Sequence, residues 1–232
     1  MILSGLHPLI AFRLSKFIRF KKPIYPAIFV GSLIPDLDII FSTIASIFIS
    51  LESSVRIFNQ TFSHSIFSAF FIYLLLMVIS EINNKNQKNM IKSLVIGILI
   101  HILTDIFLEQ DGIQFLWPLP LDKINFWGSF SLSDKFYQIL LSFEFLWFRI
   151  YAWYLMKYYI KNPTKNGFYL RFIYKWMRIE FILFLFFLIF ANLNSSNFIF
   201  FFNLMYIPSL IISILSTTLM WDSIYLLKED NL

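Results

Sequence analysis

All three histidines of the chain, and three of its acidic residues, lie in short polar islands within otherwise apolar sequence. The islands are "GLHP", "GSLIPDLDII", "TFSHSIFS" and "HILTD", and they hold, in that order, His7, Asp36 and Asp38, His64, and His101 with Asp105. Imidazole nitrogens and carboxylate oxygens bind zinc, manganese or iron-type ions, and the chain has no cysteine to supply thiolates. We therefore predict that these six residues hold one or two divalent metal ions, with zinc preferred over manganese.

The spacing within two of the islands supports this prediction. His101 and Asp105 are four residues apart, so both side chains project from one face of a helix. Pro35 predicts a turn or helix start that would aim Asp36 and Asp38 into a common cavity. A metal ion there would offset the cost of burying these groups and would lower the pKa of a bound water molecule.

Each residue also has a simpler interpretation. A histidine near a helix end is often a capping or interfacial group, and Asp36 or Asp38 could N-cap the segment "IIFSTIAS". Asp105 could fix one tautomer of His101 without any metal. For each residue taken singly, the simpler role is the commoner one. A metal site is favoured only because all six residues are expected on one side of the membrane.

The composition indicates an integral membrane protein. Of the 232 residues, 58% are hydrophobic and 14% are charged, whereas soluble domains are about 45–50% apolar and about 25% charged. The fold predicted is an all-α, polytopic helical bundle with about five to seven hydrophobic segments. The lipid bilayer is the expected partner, and the net charge of +5 indicates cytoplasmic loops rather than binding to nucleic acid.

Five apolar stretches are candidate membrane segments: residues 24–50 (interrupted by "PDLD"), 64–82, 91–109, 139–160 and 179–227. The last is long enough for two helices, separated near "ANLNSSN". The first and third are marginal, because a spanning helix needs about 20 mainly apolar residues. We expect residues 1–120 to form the domain that carries the His and Asp motifs, and residues 121–232 to add transmembrane helices.

The basic residues predict the orientation in the membrane. They cluster at residues 13–22, 85–92 and 157–178, and cytoplasmic loops carry such excesses. With these clusters inside, one alternating topology brings the six candidate ligands to the extracytoplasmic side of the cell (inner) membrane. The N-terminus lacks the pattern of a cleaved signal peptide, and we expect it to be retained.

Other charged residues lie in or beside the later apolar segments. Glu144 and Arg149 could pair along one helix, and Arg178 and Glu180 are expected at a membrane edge.

The order of the islands resembles that of the YdjM-like family, described as membrane-bound metal-dependent hydrolases. The family has an early His, a Leu-Pro-Asp-x-Asp turn, a His-Arg-Gly-x-Thr-His-Ser motif, a helical His-x-x-x-Asp pair, then a Gly and a Trp-Pro pair. The matching positions here are His7, residues 34–38, residues 59–65, His101 with Asp105, Gly112, and Trp117 with Pro118. The resemblance covers roughly residues 1–120. It implies a distant similarity to zinc-dependent phospholipase C and related nucleases, which hydrolyse phosphodiesters.

The chain departs from the family pattern at several positions. Asn59 replaces the first His of the third motif, whose Arg and Gly are also absent. The Thr that follows the His-x-x-x-Asp pair is missing near Leu108 and Glu109. Loss of a ligand would leave one metal site instead of several, or an inactive member, and Glu109 or Asp111 could substitute for the lost ligand.

These observations together predict a membrane-embedded, metal-dependent hydrolase that acts on a phosphoester in a lipid or lipid-linked substrate. Asp36 or Asp105 would serve as general base instead of ligand. The alternatives are a proton- or cation-coupled transporter and a non-catalytic scaffold with a degenerate site. The sequence shows no internal repeat of the kind that marks many transporters, which favours the enzyme.

Overall fold

The computed structural model describes residues 4–15, 17, 23–58, 61–109, 112–126, 133–161, 163, 168–193 and 197–225. These residues are mainly helical, and β-structure in them is limited to one isolated bridge between Ile113 and Ile124. The predicted all-α class is therefore confirmed. The chain forms two compact units, the site unit (residues 10–131) and the flanking unit (residues 1–9 and 132–232). The functional division into residues 1–120 and 121–232 stays a prediction.

The site unit holds five of the six predicted metal ligands. Helix α1 (His7–Ser15) crosses the boundary between the units, and the remaining α-helices of the site unit are α2 (Tyr25–Gly31), α3 (Asp38–Ala45), α4 (Leu51–Phe58), α5 (Ile66–Ile82) and α6 (Lys88–Leu108). Two short 3-10 helices, Pro35–Leu37 and Phe62–His64, hold Asp36 and His64. Asp38 begins α3, and His101 and Asp105 lie on α6.

The flanking unit is built from α7 (Asp134–Lys161), α8 (Phe168–Phe190), a 3-10 turn (Ala191–Leu193), α9 (Phe198–Leu219) and α10 (Trp221–Tyr225). Its interior is aromatic. The rings of Phe145, Phe187, Phe198 and Phe202 are buried and contact one another with centroids 5.1–6.1 Å apart. Such aromatic contacts stabilise helix packing where water is absent and the hydrophobic effect between helices is weak.

Five segments of the described chain are long and apolar enough to cross a bilayer: Tyr25–Ala45, Lys88–Leu108, Asp134–Lys161, Leu170–Leu193 and Phe198–Leu219. The helix Ile66–Ile82 is apolar but shorter. Many large apolar side chains on these segments are exposed, as expected for surfaces that face lipid. The number of hydrophobic segments agrees with the predicted five to seven.

Two predicted segment boundaries need correction. The stretch 91–109 is not marginal, because α6 begins at Lys88 and has 21 residues. The helix expected to begin at residue 179 begins at Phe168, so Arg171, Lys175 and Arg178 lie within α8 instead of in a loop. Long basic side chains have apolar stems that can lie along a membrane helix while the charge reaches the interface, so a basic run need not end the helix.

The charged residues of the flanking unit also differ from expectation. Glu144 is buried and accepts a hydrogen bond from the backbone N–H of Ser4 at 2.9 Å. Arg149 donates to the carbonyl of Met177 at 2.8 Å instead of pairing with Glu144. Glu180 is only 1% exposed and accepts a bond from the indole of Trp176, so it lies inside the span and not at its edge.

The "PDLD" segment interrupts the first candidate span. Pro35 begins a 3-10 helix, where its missing N–H leaves no bond unmade, and this confirms the predicted turn. Helix α3 begins at Asp38, so its N-cap position is occupied by Leu37, which makes no side-chain capping bond. The N-capping interpretation of Asp36 and Asp38 is therefore wrong, and both carboxylates are buried. Irregular backbone at membrane depth is tolerated where protein surrounds it.

Glycines allow α2 and α6 to approach closely. A Cβ atom at Gly97 would overlap the carbonyl oxygen of Ile28 and lie 2.9 Å from the backbone nitrogen of Ser32. A Cβ atom at Gly31 would overlap the carbonyl oxygen of Leu94. Small residues at such crossings allow backbones to contact in membrane proteins. This contact places the end of α2 against the helix that carries His101 and Asp105.

We predict that Gly97→Ala destabilises the protein by about 1–3 kcal/mol, because the added methyl group must push two backbones apart. Thermal unfolding of the detergent-solubilised protein measures this as a lower midpoint. Leu103→Ala is the control, since Leu103 lies on the same helix and is 50% exposed. A Gly97→Ala midpoint equal to that of the wild type would contradict the close crossing.

Candidate metal centre

His101 is oriented by the end of a neighbouring helix. Its ring is fully buried, and Nδ1 lies 2.7 Å from the carbonyl oxygen of Ser32. Ser32 is the C-cap of α2, whose terminal carbonyls lack partners within the helix. A carbonyl only accepts hydrogen bonds, so Nδ1 carries the hydrogen. The neutral ring therefore presents the lone pair of Nε2 to the other side.

His64 is held by its neighbours in the chain and by the loop after α6. It ends the 3-10 helix Phe62–His64, and the next residue, Ser65, caps α5 by accepting a bond from the N–H of Ser68 at 3.1 Å. The ring of Phe62 packs edge-on against Trp117, with centroids 5.2 Å apart. These contacts fix the backbone on both sides of a fully buried imidazole.

The loop after α6 contributes to this support. Gly112 has a φ of +69°, a left-handed conformation that glycine adopts without strain. Ile113 then forms the bridge with Ile124, and the carbonyl of Phe115 accepts a hydrogen bond from the N–H of Ile66 at 3.0 Å. The loop thereby fastens onto the first residue of α5, two positions after His64.

Asp38 and Ser63 contact the Nδ1 side of His64. Oδ2 of Asp38 is 3.3 Å from Nδ1, and the hydroxyl of Ser63 donates to the same Oδ2 at 2.8 Å. A carboxylate at this distance favours a hydrogen on Nδ1 and leaves the lone pair on Nε2. Carboxylates frequently orient metal-binding histidines in this way.

Four donor atoms converge on the opposite side of the two rings. The Nε2 atoms of His64 and His101 are 3.2 Å apart, and each is 3.1 Å from Oδ2 of Asp105. Oδ1 of Asp36 is 3.7 Å from Nε2 of His101. Atoms bound about 2.0–2.1 Å from a tetrahedral zinc ion lie about 3.3–3.4 Å from one another. The spacing of Nε2 of His64, Nε2 of His101 and Oδ2 of Asp105 therefore fits a shared ion, and Oδ1 of Asp36 lies slightly farther out.

The charges at this point also fit a cation. Two nitrogen lone pairs and a carboxylate oxygen repel one another unless positive charge lies between them. Oδ2 of Asp36 is buried and makes no hydrogen bond within the part of the chain that the structure describes, which is costly for a polar atom. Burial alone would lower the pKa of His64, but Asp38 and Asp105 raise it to about 10. The centre attracts positive charge, as a proton or as a metal ion.

Asp36, His64 and His101 offer ligand atoms that lie within 4.8 Å of one another, and they could hold a metal ion. His7 is buried at the first residue of α1 and belongs to the flanking unit, and its role as a ligand stays a prediction. Glu109 is buried directly after α6. Asn59 and Asp111 lie outside the described residues.

Two contributors were not predicted from the sequence. Ser63 directly precedes His64 in the island "TFSHSIFS", and this adjacency is a sequence signal for a hydroxyl near the imidazole. Ser32 acts through its backbone carbonyl, and only the close crossing of α2 and α6 brings that carbonyl to His101. Residue type gives no signal for such a contact.

Comparison with protein families gives a match over residues 2–217 to the family model described as YdjM inner membrane protein. The chain belongs to this family. The match continues well past residue 120, so the YdjM family includes most of the flanking unit and the motif resemblance underestimated its extent. No curated protein and no solved structure gives a significant match. The family and the apolar helices together establish a multi-pass membrane protein.

We predict that the purified wild-type protein binds one zinc or manganese ion per chain, and that His64→Ala and His101→Ala each lose it, because each removes one converging nitrogen. Elemental mass spectrometry after mild chelation measures this. Glu81→Gln is the control, since it removes an exposed carboxylate on α5. A folded wild-type protein that stays metal-free after reconstitution with both ions would contradict the site.

For Asp38→Asn we predict a metal dissociation constant raised roughly 10–100-fold with the stoichiometry unchanged at saturation, as is typical for residues that orient a ligand. Competition with a coloured chelator measures the constant. Loss of binding at saturating metal would show instead that Asp38 is a direct ligand.

Proposed function

We propose that this protein is a membrane-embedded, metal-dependent hydrolase that cleaves a phosphoester in a lipid or lipid-linked substrate, with zinc as its ion and manganese as the alternative. The observation that carries the proposal is that two buried imidazole nitrogens and a buried carboxylate oxygen lie 3.1–3.2 Å from one another, with Asp36 3.7 Å from His101. The reaction type rests on analogy, through the resemblance to zinc-dependent phospholipase C.

In this proposal His64, His101 and Asp105 hold the ion, Asp36 lies beside it as the general base, and Asp38 orients His64. The ion would lower the pKa of a bound water molecule and neutralise charge on the phosphoryl oxygens. The donor set contains only nitrogen and oxygen, and it excludes ions that require thiolate ligands.

Asp36 is the preferred general base. Oδ2 of Asp105 already contacts both imidazoles at 3.1 Å, whereas Oδ2 of Asp36 makes no hydrogen bond to any described residue. In the reaction, the water oxygen forms a bond to phosphorus while one water proton passes to Oδ2 of Asp36. The ester P–O bond breaks, its electron pair stays on the alcohol oxygen, and that oxygen takes up the proton that Asp36 received, which restores the carboxylate.

The α5–α6 hairpin supports an extracytoplasmic position for the reaction. Lys85, Lys88 and Lys92 lie at the turn of the hairpin, and the metal ligands lie toward its other end. His101 is 13 residues beyond Lys88, which is about 20 Å along a helix. Basic loops remain in the cytoplasm, so the ligands would lie nearer the outer face of the inner membrane.

The same convergence favours an enzyme over a transporter. A proton or cation path needs groups that follow one another through the membrane, whereas the donor atoms of His64, His101 and Asp105 lie within 3.1–3.2 Å of one another. A scaffold with a degenerate site is the remaining alternative, and it would bind no metal or would bind metal without turnover.

We predict that the metal-loaded protein in lipid nanodiscs hydrolyses at least one of phosphatidic acid, phosphatidylcholine and a prenyl phosphate. Asp36→Asn should lower kcat by about 100- to 10,000-fold, the usual contribution of a general base. Mass spectrometry of the released phosphate or head group measures turnover, and metal content is measured on the same samples.

Glu81→Gln is again the matched control, because it replaces a carboxylate by an amide away from the centre. Absence of turnover on all three substrates by the metal-loaded wild type would contradict the hydrolase. If metal-loaded Asp36→Asn has the same kcat as the wild type, Asp36 is not the general base.

A further inference from the structure

An apolar cavity of about 500 Å³ lies in the site unit, next to the metal centre. Phe41, Ile57, Phe58 and Phe62 form part of its wall. Asp38, Thr61 and Ser63 also line it, so a few polar groups stand at an otherwise apolar surface.

The cavity and the metal centre share residues. Asp38 lines the cavity and lies 3.3 Å from Nδ1 of His64 through its Oδ2, and Ser63 donates to that same oxygen. A molecule in the cavity would therefore lie against Asp38 and Ser63 on the Nδ1 side of His64, and the imidazole ring of His64 reaches from there to the converging donors. An amphiphile could place its polar head near the centre and its apolar part along the wall.

The wall of the cavity is also partly exposed. Phe41, Ile57 and Phe62 are 63%, 55% and 47% exposed, and all three line it. Phe41 lies within the first candidate span. In a multi-pass membrane protein, exposed apolar residues of this kind contact lipid chains, so an occupant can enter from the bilayer.

We infer that this cavity binds one hydrocarbon chain of an amphiphilic phosphoester, an inference that rests on the proposed function and identifies which part of the substrate is recognised. Ordered water needs two to four polar partners at each position, which the apolar wall does not supply. The volume is in the range of about 300–1,000 Å³ that holds one small-molecule ligand. The aromatic wall offers large contact surfaces to methylene groups and few hydrogen-bonding groups to a sugar or peptide.

The test uses a hexadecyl phosphonate that carries a diazirine on its chain, a probe that cannot be hydrolysed at its P–C bond. We expect photolabelling of the metal-loaded protein to map to peptides that contain Phe41 and Ile57. Ile57→Trp should narrow the cavity, reduce labelling about tenfold and shift competition in favour of octyl over hexadecyl phosphonate.

Phe48→Trp is the matched control, because Phe48 is 81% exposed and is not among the residues that line the cavity. Because Ile57 is half exposed, its substitution should leave the fold intact, and Phe41→Ala provides a second variant that widens the cavity. This variant should relax the preference for chain length.

The outcomes separate the two proposals. If Ile57→Trp and Phe41→Ala change the labelling of the cavity as predicted, but the protein shows no turnover, the chain site is supported and the hydrolase is contradicted. Turnover with unchanged chain-length preference in Ile57→Trp and Phe41→Ala, or labelling that maps elsewhere, overturns the chain site and leaves the hydrolase standing.

Discussion

The fold of the site unit depends on one electrostatic constraint. Two imidazole nitrogens and a carboxylate oxygen meet at 3.1–3.2 Å in a buried region, and such a group of electron-rich atoms needs positive charge. Burial makes the constraint strong, because charges interact more strongly in the low dielectric constant of a protein interior than in water. The contacts around His64, His101 and Asp105 hold these three donor atoms in place.

The supporting contacts come from backbone as much as from side chains. Gly97 lets α6 approach α2, and that crossing brings the C-cap carbonyl of Ser32 to His101. The 3-10 helix that ends at His64 is held by the capped start of α5 and by the loop that follows Gly112. The short helix at Pro35 turns two carboxylates toward the histidines. Small residues, helix ends and a proline therefore determine the geometry of the centre.

Several of these features could be predicted from the sequence because they depend on local spacing. The four-residue separation of His101 and Asp105 specifies one helix face, and Pro35 specifies a break. The number of apolar segments followed from hydrophobic length alone. By contrast, the apolar stretch predicts a start at residue 179, whereas α8 begins at Phe168, because the stems of Arg171 and Lys175 are compatible with a membrane helix. The sequence predicts Glu180 at a membrane edge, because a charged residue is costly inside a span. The structure shows that the indole of Trp176 donates a hydrogen bond to it there, a contact that the sequence does not reveal.

The different positions of Asp36 and Asp38 in the centre are determined by tertiary contacts, and the sequence does not predict them. Asp36 and Asp38 are two residues apart and chemically identical, yet one faces His101 and the other lies against Nδ1 of His64. No residue pattern distinguishes them, since the difference arises from the 3-10 turn and from the helices packed around it.

X-ray absorption spectroscopy at the zinc edge of the reconstituted protein tests the central claim most directly. The account predicts a four-coordinate ion with nitrogen and oxygen ligands at about 2.0–2.2 Å, and outer-shell scattering from two imidazole rings. A six-coordinate shell of oxygen without imidazole scattering would show that the ion is bound elsewhere, and it would contradict the metal centre assigned to His64 and His101.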